Sequence, residues 1–244
     1  MRLRPDFVVL ISADAEWKIV RNNFPDCRIH TSPYGEWFTY RYQEHQELGN
    51  PLVFIHGGWG KVAAAGSTQY AINTWHPRLM INIGTCGGFE GEIKNGEIIL
   101  AKKTLIYDIF EQMGDPEEHI RHYVTDINTD WLIEPLPLDV IRTLLVSGDR
   151  DLVCEEIHSL KSRYGAIAGD WESGAIAWVA AKNQTQCLIL RGVTDLVSYS
   201  GGEAYEGKVN YYYENTELVM KKLIKSLPEW LLLFRRSTSN YSLK

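Results

Sequence analysis

Cysteine and histidine are scarce and scattered in this sequence, which leaves little material for a metal or redox centre. The chain has 244 residues, with four cysteines and seven histidines. No two cysteines form a C-x-x-C pair, and no histidines form H-x-x-x-H or H-E-x-x-H, the spacings expected of a redox dithiol or a zinc site. We therefore expect reduced thiols and no metal. The cysteines are Cys27, Cys86, Cys154 and Cys187.

Long apolar runs and an excess of positive charge are also missing. The run Trp230-Leu-Leu-Leu-Phe234 is much too short to cross a bilayer. The formal net charge of -6 argues against a broad surface for nucleic acid or anionic lipid. The first apolar run ends in Ser12-Ala-Asp-Ala-Glu16 rather than in a cleavage site, so we expect no export signal. These features predict a cytoplasmic protein whose partner is a small molecule, not a nucleic acid or a membrane.

Strand-like and helix-like segments alternate along the chain. This alternation predicts a three-layer α/β domain, with helices on both faces of a mostly parallel sheet. Hydrophobic residues make up 45% of the chain, enough for one large core. We therefore expect one domain over residues 1–234 and a flexible tail over 235–244. Apolar runs predict strands at 7–11, 51–55, 78–83, 96–102, 143–146 and 187–191, and helical spacing predicts helices at 15–24, 62–75 and 212–227.

The stretch from Asp108 to Pro137 interrupts this alternation. It is polar and irregular, with turn signals in Met113-Gly-Asp-Pro116 and Glu134-Pro-Leu-Pro137. Its scattered aromatic and apolar residues are not typical of a flexible spacer. We therefore interpret it as an insertion or an interface loop.

Three acidic residues stand at predicted ends of strands or helices. Glu16 follows the first strand, Glu172 begins a helix that reads as buried, and Asp195 ends a strand. Each also has a purely structural explanation. Glu16 would be an acid in the first turn of a helix whose N-cap is Ser12 or Asp14, Glu172 an acid at the N-terminus of a helix, and Asp195 a cap for the segment that follows Leu196. A buried carboxylate without a partner is costly, however. Three of them at one edge of a sheet indicate a ligand site.

Two glycine-rich turns follow predicted strands. Gly57-Gly-Trp-Gly60 and Lys61 lack the spacing of a phosphate-binding P-loop, so we reject a nucleoside triphosphate site. Gly84-Thr-Cys-Gly-Gly88 offers backbone N–H groups and the Thr85 hydroxyl, which suit an anion, a hydroxyl or a water. It is equally compatible with a simple tight turn.

Six motifs follow one another along the chain: Ser12-Ala-Asp-Ala-Glu16, Gly60-Lys-Val-Ala-Ala-Ala65, Ile81-Asn-Ile-Gly-Thr-Cys-Gly-Gly88, Ser147-Gly-Asp149, Asp170-Trp-Glu-Ser-Gly-Ala-Ile-Ala177 and Arg191-Gly-Val-Thr-Asp195. Together they resemble the purine nucleoside phosphorylase/uridine phosphorylase superfamily, and the branch they resemble most is the 5'-methylthioadenosine/S-adenosylhomocysteine nucleosidases. The resemblance implies a single-domain phosphorylase/hydrolase-like fold with a mixed, largely parallel central sheet flanked by helices. It also implies a homodimer that cleaves an N-glycosidic bond without metal or organic cofactor.

The resemblance also implies roles for particular residues. Glu16 would activate the attacking water, and Asp195 would donate a proton to N7 of the purine. Glu172 would bind the ribose hydroxyls, and Arg191 would orient Asp195 or Glu172. The remaining substrate-binding residues would be Thr85, which contacts water or ribose, and Gly87, Leu152 and Trp171.

Differences from the family pattern bear on the reaction and on the substrate. Phosphorylases of this superfamily typically carry an arginine just ahead of the glycine turn, where this chain has Ile81-Asn-Ile-Gly84, so we expect hydrolysis. A phosphorylase and an inactive nucleoside-binding protein remain the alternatives. Arg150 and Asp151 would place charged groups near the base, where the related nucleosidases often have an apolar residue. Trp171 stands where the family usually has a methionine ahead of the ribose-binding glutamate, and a polar, tyrosine-rich lid spans 198–213. We therefore expect 5'-methylthioadenosine to be a poorer substrate than a purine nucleoside with a polar or modified base or 5' group.

Overall fold

The computed structural model describes residues 3–205 and 209–241, and within them strands and helices alternate as the sequence predicts. The strands are β1 (Phe7–Ile11), β2 (His30–Thr31), β3 (Glu36–Tyr40), β4 (Leu52–His56), β5 (Leu79–Phe89), β6 (Ile98–Ile106), β7 (Thr125–Asp126), β8 (Ile141–Ser147), β9 (Ala168–Asp170), β10 (Gln186–Ser198) and β11 (Gly201–Gly202). The α-helices are α1 (Asp14–Asn23), α2 (Gly60–Trp75), α3 (Pro116–His122), α4 (Ile157–Tyr164), α5 (Ser173–Lys182) and α6 (Val209–Tyr241).

One mixed sheet runs through the protein, and part of it closes on itself. The open part has the order β2-β3-β4-β1-β5. The closed part is a ring in which β5 pairs with β10, β10 with β6, β6 with β8, β8 with β9, and β9 with β5 again. The first half of β5 therefore belongs to the open sheet and its second half to a barrel.

The predicted α/β class, the mixed sheet and the flanking helices are confirmed, but a largely parallel sheet is wrong. Among the described residues, five strand pairings are parallel and six are antiparallel. The connection from β5 to β6 spans only residues 90–97 and contains no helix. A parallel crossover needs a dozen or more residues, so β6 instead runs antiparallel to β10 and helps to close the barrel.

Helices cover both faces of the open sheet, and this explains why the sequence of β1 is continuously apolar. Successive side chains of a strand point to opposite faces. Val9 and Ile11 pack in the core that contains α1 and α6, whereas Val8 and Leu10 pack against the alanine-rich helices α2 and α5. A strand buried on both faces has no position for a polar residue.

Helix α6 extends beyond the predicted end of the domain. A tail was predicted from residue 235, but the helix continues to Tyr241, Ser237 is buried, and Arg235 forms an ion pair with Asp6. Residues 242–244 of the predicted tail lie outside the described residues. Within the described residues, neither α6 nor any other helix is long and apolar enough to cross a membrane.

The segment from Asp108 to Pro137 is mostly irregular but contains α3 and β7. Part of its apolar content packs into the protein's own core, since Trp131 and Leu132 are buried among residues of α6 and β1. Phe110 and Met113 instead remain 83% and 95% exposed. Trp131 and Leu132 are therefore not available for the interface role predicted for this segment, whereas Phe110, Met113 and Ile133, which is 59% exposed, are.

Candidate active site

A cavity of about 320 Å³ opens where β5 leaves the open sheet and enters the barrel. Seven of the eight residues predicted for the site line this cavity, and the eighth, Arg191, lies behind its wall. The seven are Glu16, Thr85, Gly87, Leu152, Trp171, Glu172 and Asp195. The structure therefore brings together residues that are up to 179 positions apart in the sequence.

Glu16 lies in the first turn of α1 and is 1% exposed. Its Oε2 accepts a hydrogen bond from the Ala13 N–H at 3.2 Å, and Ala13, rather than the expected Ser12 or Asp14, is the N-cap residue. Its Oε1 accepts from the Thr85 N–H at 2.6 Å and from the Thr85 hydroxyl at 2.9 Å. Glu16 therefore combines the helix-start role with a place in the cavity.

The position of Thr85 explains why its N–H is available to a side chain. Strand β1 pairs with β5 only as far as Asn82, and β9 pairs with β5 from Gly87. Between these two pairings, the Thr85 N–H bonds to Glu16 instead of to a strand. The gap between the open sheet and the barrel thus creates the binding position for the carboxylate.

Arg191 of β10 is 1% exposed and joins several acidic residues behind the cavity. Its Nε lies 2.8 Å from Asp170 Oδ2, and its Nη2 donates to Asn82 Oδ1 at 2.6 Å. The guanidinium also lies 3.8 Å from Glu16 and 3.6 Å from Glu172. Arg191 therefore approaches Glu172, as predicted, and Glu16 as well. Its burial makes it a positioning residue and not a lining residue.

Glu172 is the N-cap residue of α5, but its side chain makes no capping hydrogen bond. Asp170 instead accepts from the N–H of Ser173 at 3.2 Å, which satisfies the start of the helix. The Glu172 carboxylate is left to accept the Gly60 N–H at the start of α2, at 3.0 Å. Burial raises the pKa of Glu172 to about 8, against the opposing effects of Arg191 and the Gly60 N–H.

The sequence predicts that a strand ends at Asp195, and this is wrong, because β10 continues to Ser198. The pairing of β10 with β5 shifts register between Val193 and Asp195, which marks a β-bulge. A bulge breaks the alternation of side chains and redirects one of them, and here Asp195 faces the cavity. Burial raises the pKa of Asp195, and the carboxylates of Glu203 and Asp151 raise it further, while a hydrogen bond from Thr194 lowers it.

Leu152 and Gly87 form the wall beside Asp195. A Cβ atom at Gly87 would lie 3.0 Å from Leu152 Cδ1 and 3.7 Å from Asp195 Oδ2, so glycine leaves room there. Asp151 and Arg150 also line the cavity, as the sequence analysis expected. Arg150 forms an ion pair with Glu156, so its charge is already balanced.

Several residues of the site were not given a role from the sequence, and three of them are informative. Asp170 contacts Arg191 and caps the start of α5, although the sequence motif to which it belongs gave it no role. Tyr212 lines the cavity, and its hydroxyl lies 3.5 Å from Thr85 Oγ1. It belongs to the lid expected over 198–213, within which residues 206–208 lie outside the described residues. Trp59 lines the cavity 6.1 Å from Trp171. The sequence feature that could have indicated Trp59 as a site residue is its place in the glycine-rich turn after β4.

Acidic side chains in this site are held by hydrogen bonds and Arg191, not arranged around a cation. In the described part of the chain, no group of three or more histidine, cysteine or acidic residues is placed to hold a metal ion.

Comparisons with known proteins agree with this geometry. A family model described as the phosphorylase superfamily matches residues 8–227. Relatives named 5'-methylthioadenosine/S-adenosylhomocysteine nucleosidase include one from Buchnera aphidicola subsp. Acyrthosiphon pisum (strain Tuc7), 30% identical over 64% of this chain and 72% of that protein. Another, from Marinomonas sp. (strain MWYL1), is 22% identical over 87% of this chain and 95% of that protein.

Solved structures share the fold at lower identity. The Helicobacter pylori enzyme of the same name, bound to butyl-thio-DADMe-Immucillin-A, matches with a TM-score of 0.75 at 15% identity, over 93% of this chain and 99% of that one. The futalosine hydrolase of Helicobacter pylori matches with a TM-score of 0.74 at 15% identity, over 92% and 98% of the two chains. Since the family model covers most of the sequence and the fold agrees, the chain belongs to the phosphorylase superfamily.

Proposed function

We propose that this chain is a nucleosidase, an N-glycosyl hydrolase that splits a purine ribonucleoside into free base and sugar. The observation that carries the proposal is the placement of Glu16 and Asp195 in one cavity, where Thr85 donates hydrogen bonds to Glu16 and burial raises the pKa of Asp195. The names of the relatives support the same activity and make a 5'-substituted adenosine a candidate substrate.

Glu16 acts as the general base in this mechanism. Its carboxyl oxygens accept three hydrogen bonds from Ala13 and Thr85, and the guanidinium of Arg191 lies 3.8 Å away. Glu16 orients a water against C1' of the ribose and takes a proton as the oxygen–carbon bond forms. General bases of this kind typically contribute on the order of a hundredfold or more to the rate.

Asp195 acts as the general acid on the opposite side of the bond. As the C1'–N9 bond breaks, its electron pair moves into the purine ring, and the protonated Asp195 donates a proton to N7. The sugar develops oxocarbenium-like charge during this step, and a neutral leaving base lowers the barrier. Water thus supplies the new hydroxyl at C1', and proton exchange with solvent restores both carboxyl groups.

Glu172 holds the ribose between these two groups. Its carboxyl oxygens accept hydrogen bonds from the sugar hydroxyls, while the Gly60 N–H and Arg191 fix their position. Leu152 and Gly87 leave the space for the base beside Asp195.

Phosphorolysis is the main alternative, and the surroundings of Arg191 argue against it. A phosphate nucleophile needs a cation that faces the cavity. Arg191 is buried and already contacts Asp170, and Arg150 forms an ion pair with Glu156. The buried Arg191 is therefore not free to bind phosphate, and Arg150, which lines the cavity, would have to leave Glu156 to do so. An inactive nucleoside-binding protein is also disfavoured, since a protein that only binds has no use for the base at Glu16.

A screen of purine nucleosides for free-base release, with and without phosphate, tests the proposal. We expect release without phosphate, with free ribose as the second product. Strict phosphate dependence and a ribose 1-phosphate product would instead establish the phosphorylase. Binding without release from any nucleoside would favour the inactive protein.

The proposal extends to a cytoplasmic homodimer. The exposed side chains of Phe110 and Met113 support an interface within 108–137, because large apolar groups are rarely left in water without a partner. The four cysteines form no disulfide among the described residues, which fits a reducing compartment.

A further inference from the structure

The lid carries an acidic residue, Glu203, that the mechanism above does not use. Glu203 follows β11 and lies opposite Leu196 of β10, the residue after the proposed general acid. The Glu203 N–H donates to the Leu196 carbonyl oxygen at 2.9 Å, and the Leu196 N–H donates to Glu203 Oε2 at 2.8 Å. Both backbone groups of Leu196 are therefore paired with this one residue.

The Glu203 side chain takes the place of a strand at this point of the sheet. On the side of β10 that faces away from β5, pairing with β6 covers residues 190–192 and pairing with β11 covers residues 197–198. Leu196 lies between these two pairings, directly after the bulge. Backbone N–H groups in folded proteins nearly always have a hydrogen-bond partner, and here that partner is a carboxyl oxygen.

Two asparagines complete the outer edge of the bulge. Asn95, in the connection from β5 to β6, donates to Glu203 Oε2 at 2.9 Å. Asn215 of α6 donates to the Thr194 carbonyl oxygen at 2.7 Å. The Thr194 hydroxyl donates to Asp195 Oδ1 at 2.8 Å. Side chains from the lid and from α6 thus hold the outer edge of the bulge, and Glu203 is the acidic one among them.

The charge of Glu203 also acts on Asp195. Burial raises the pKa of Asp195 most, the hydrogen bond from Thr194 lowers it, and the carboxylates of Glu203 and Asp151 raise it further. A nearby negative charge disfavours the ionisation of a carboxyl group. The other titratable groups that interact with Asp195 are Cys86, Tyr205 and Tyr212. The charged or acidic residues that line the same cavity are Glu16, Arg150, Asp170 and Glu172.

The position of Glu203 separates it from the substrate. Glu203 is exposed to solvent and does not line the cavity, whereas Asp195 is buried and does. A substitution at Glu203 therefore leaves the core and the cavity wall in place. Dissolved salt screens the interactions of an exposed charge, so the effect of Glu203 on Asp195 should weaken as the ionic strength rises.

We propose that Glu203 is a positioning residue for the general acid. It pairs with Leu196 so that the bulge turns Asp195 toward the cavity, and its negative charge favours the protonated form of Asp195. This inference rests on the proposed nucleosidase function, because Asp195 needs a proton only if it acts as the acid. Glu203 acts through Asp195 and not on the substrate.

Two variants separate the charge of Glu203 from its hydrogen bond to Leu196, with adenosine, inosine and 5'-methylthioadenosine as substrates. Glu203→Gln keeps an oxygen for the Leu196 N–H but removes the charge. We expect the alkaline limb of kcat/KM to move to lower pH by about 0.2–0.7 pH unit, the coupling typical of an exposed pair of charges. The move should be smaller at an ionic strength of about 1 M. Glu203→Ala should show the same move and, below the limb, a kcat about fivefold lower than that of Glu203→Gln, the rate equivalent of one typical hydrogen bond.

Glu214→Gln is the matched control. Glu214 is an exposed acidic residue of α6, and it is not among the groups that shift the pKa of Asp195. This variant changes the net charge of the protein by the same amount as Glu203→Gln, and it should keep the wild-type limb. Asp195→Asn, which should lack the limb, assigns the limb to Asp195.

The outcomes separate this inference from the function beneath it. No base release from any nucleoside would overturn the proposed function, and the inference with it. Base release with the same alkaline limb in Glu203→Gln as in the wild type would overturn the inference alone. The same holds if Glu214→Gln moves the limb as far as Glu203→Gln does, since the effect would then come from net charge.

Discussion

Glu16 and Asp195 carry the same functional group, yet their surroundings differ. Ala13 and Thr85 donate hydrogen bonds to the carboxyl group of Glu16. Asp195 accepts a hydrogen bond from Thr194, but burial raises its pKa, and the carboxylates of Glu203 and Asp151 raise it further. Two carboxyl groups in one site with such different surroundings are expected of a general base and a general acid.

Replacement of Glu16 tests the general base. Glu16→Gln keeps the size of the side chain and an oxygen for the Thr85 N–H, but it removes the proton acceptor. We expect kcat to fall at least a hundredfold, with a much smaller change in KM. Circular dichroism should confirm that the variant folds, and turnover close to that of the wild type would refute the role.

The pH dependence of kcat/KM tests the general acid. Asp195 must be protonated to act, and its raised pKa extends the protonated form to higher pH. We expect kcat/KM to fall as the pH rises through the pKa of Asp195. Asp195→Asn should lower activity at least a hundredfold and remove this alkaline limb. Persistence of the limb in the variant would assign it to another group.

The same pKa shift predicts a stability effect. A carboxyl group whose pKa is higher in the folded protein than in the unfolded chain binds more protons when folded. Its ionisation therefore costs stability as the pH rises from the unfolded value, about 4, to the folded value. At pH 8 we expect Asp195→Asn to melt a few degrees above the wild type, with the difference vanishing near pH 4. An equal or lower melting temperature at pH 8 would contradict this.

At the scale of elements, the pairing of β5 with β10 decides the geometry of the site. The register places Gly84 of β5 beside Arg191 of β10. A Cβ atom at Gly84 would overlap Arg191 Nη1 and lie 2.8 Å from Glu16 Oε1. Glycine is thus required there by the close approach of the guanidinium, and the two strands together hold Arg191 and Glu16 in place.

Gly84→Ala tests this close approach. The added methyl group should displace Arg191 from Glu16, lower kcat/KM at least tenfold, and cost about 1–3 kcal/mol in the free energy of unfolding, as overpacking typically does. Gly114→Ala is the control, because an added Cβ there meets no atom within 4 Å. Thermal melting and kinetics measure both effects, and equal behaviour of the two variants would exclude a steric requirement at Gly84.

At the scale of the whole molecule, the exposed apolar residues of the Asp108–Pro137 segment are unevenly distributed. Trp131 and Leu132 complete the core beside α6, so they are not available to a partner. Phe110 and Met113 are exposed and lie near the sequence position of Asp108, which forms an ion pair with Lys61 at the start of α2.

Sedimentation velocity tests the proposed dimer. We expect a dimer at micromolar concentration, and the double variant Phe110→Asp/Met113→Asp should shift it to a monomer. Leu218→Asp, which changes an exposed apolar residue of α6 instead, should remain dimeric. A wild-type protein that sediments as a monomer would refute the proposal.

The local patterns of the sequence determined the alternation of strands and helices and the main acidic residues of the site. A strand buried on both faces, such as β1, needs a continuous apolar run, and this requirement is visible in the sequence itself. The six motifs identified the family, and its model covers residues 8–227. Glu16, Glu172 and Asp195 all face the cavity because each lies near an end or an irregularity of an element at one edge of the sheet.

Only the tertiary structure decided how these parts meet. The ring through β5, β10, β6, β8 and β9 depends on pairings between distant segments, which no local pattern encodes. The bulge that turns Asp195 toward the cavity exists only in the register of β10 against β5. The resemblance implies that Arg191 orients Asp195 or Glu172, but only the packed elements show that it is buried behind the cavity, 3.6 Å from Glu172. The pairing of Trp59 with Trp171 likewise depends on a hydrogen bond between residues 112 positions apart, because side-chain direction and proximity are set by packing and not by sequence spacing.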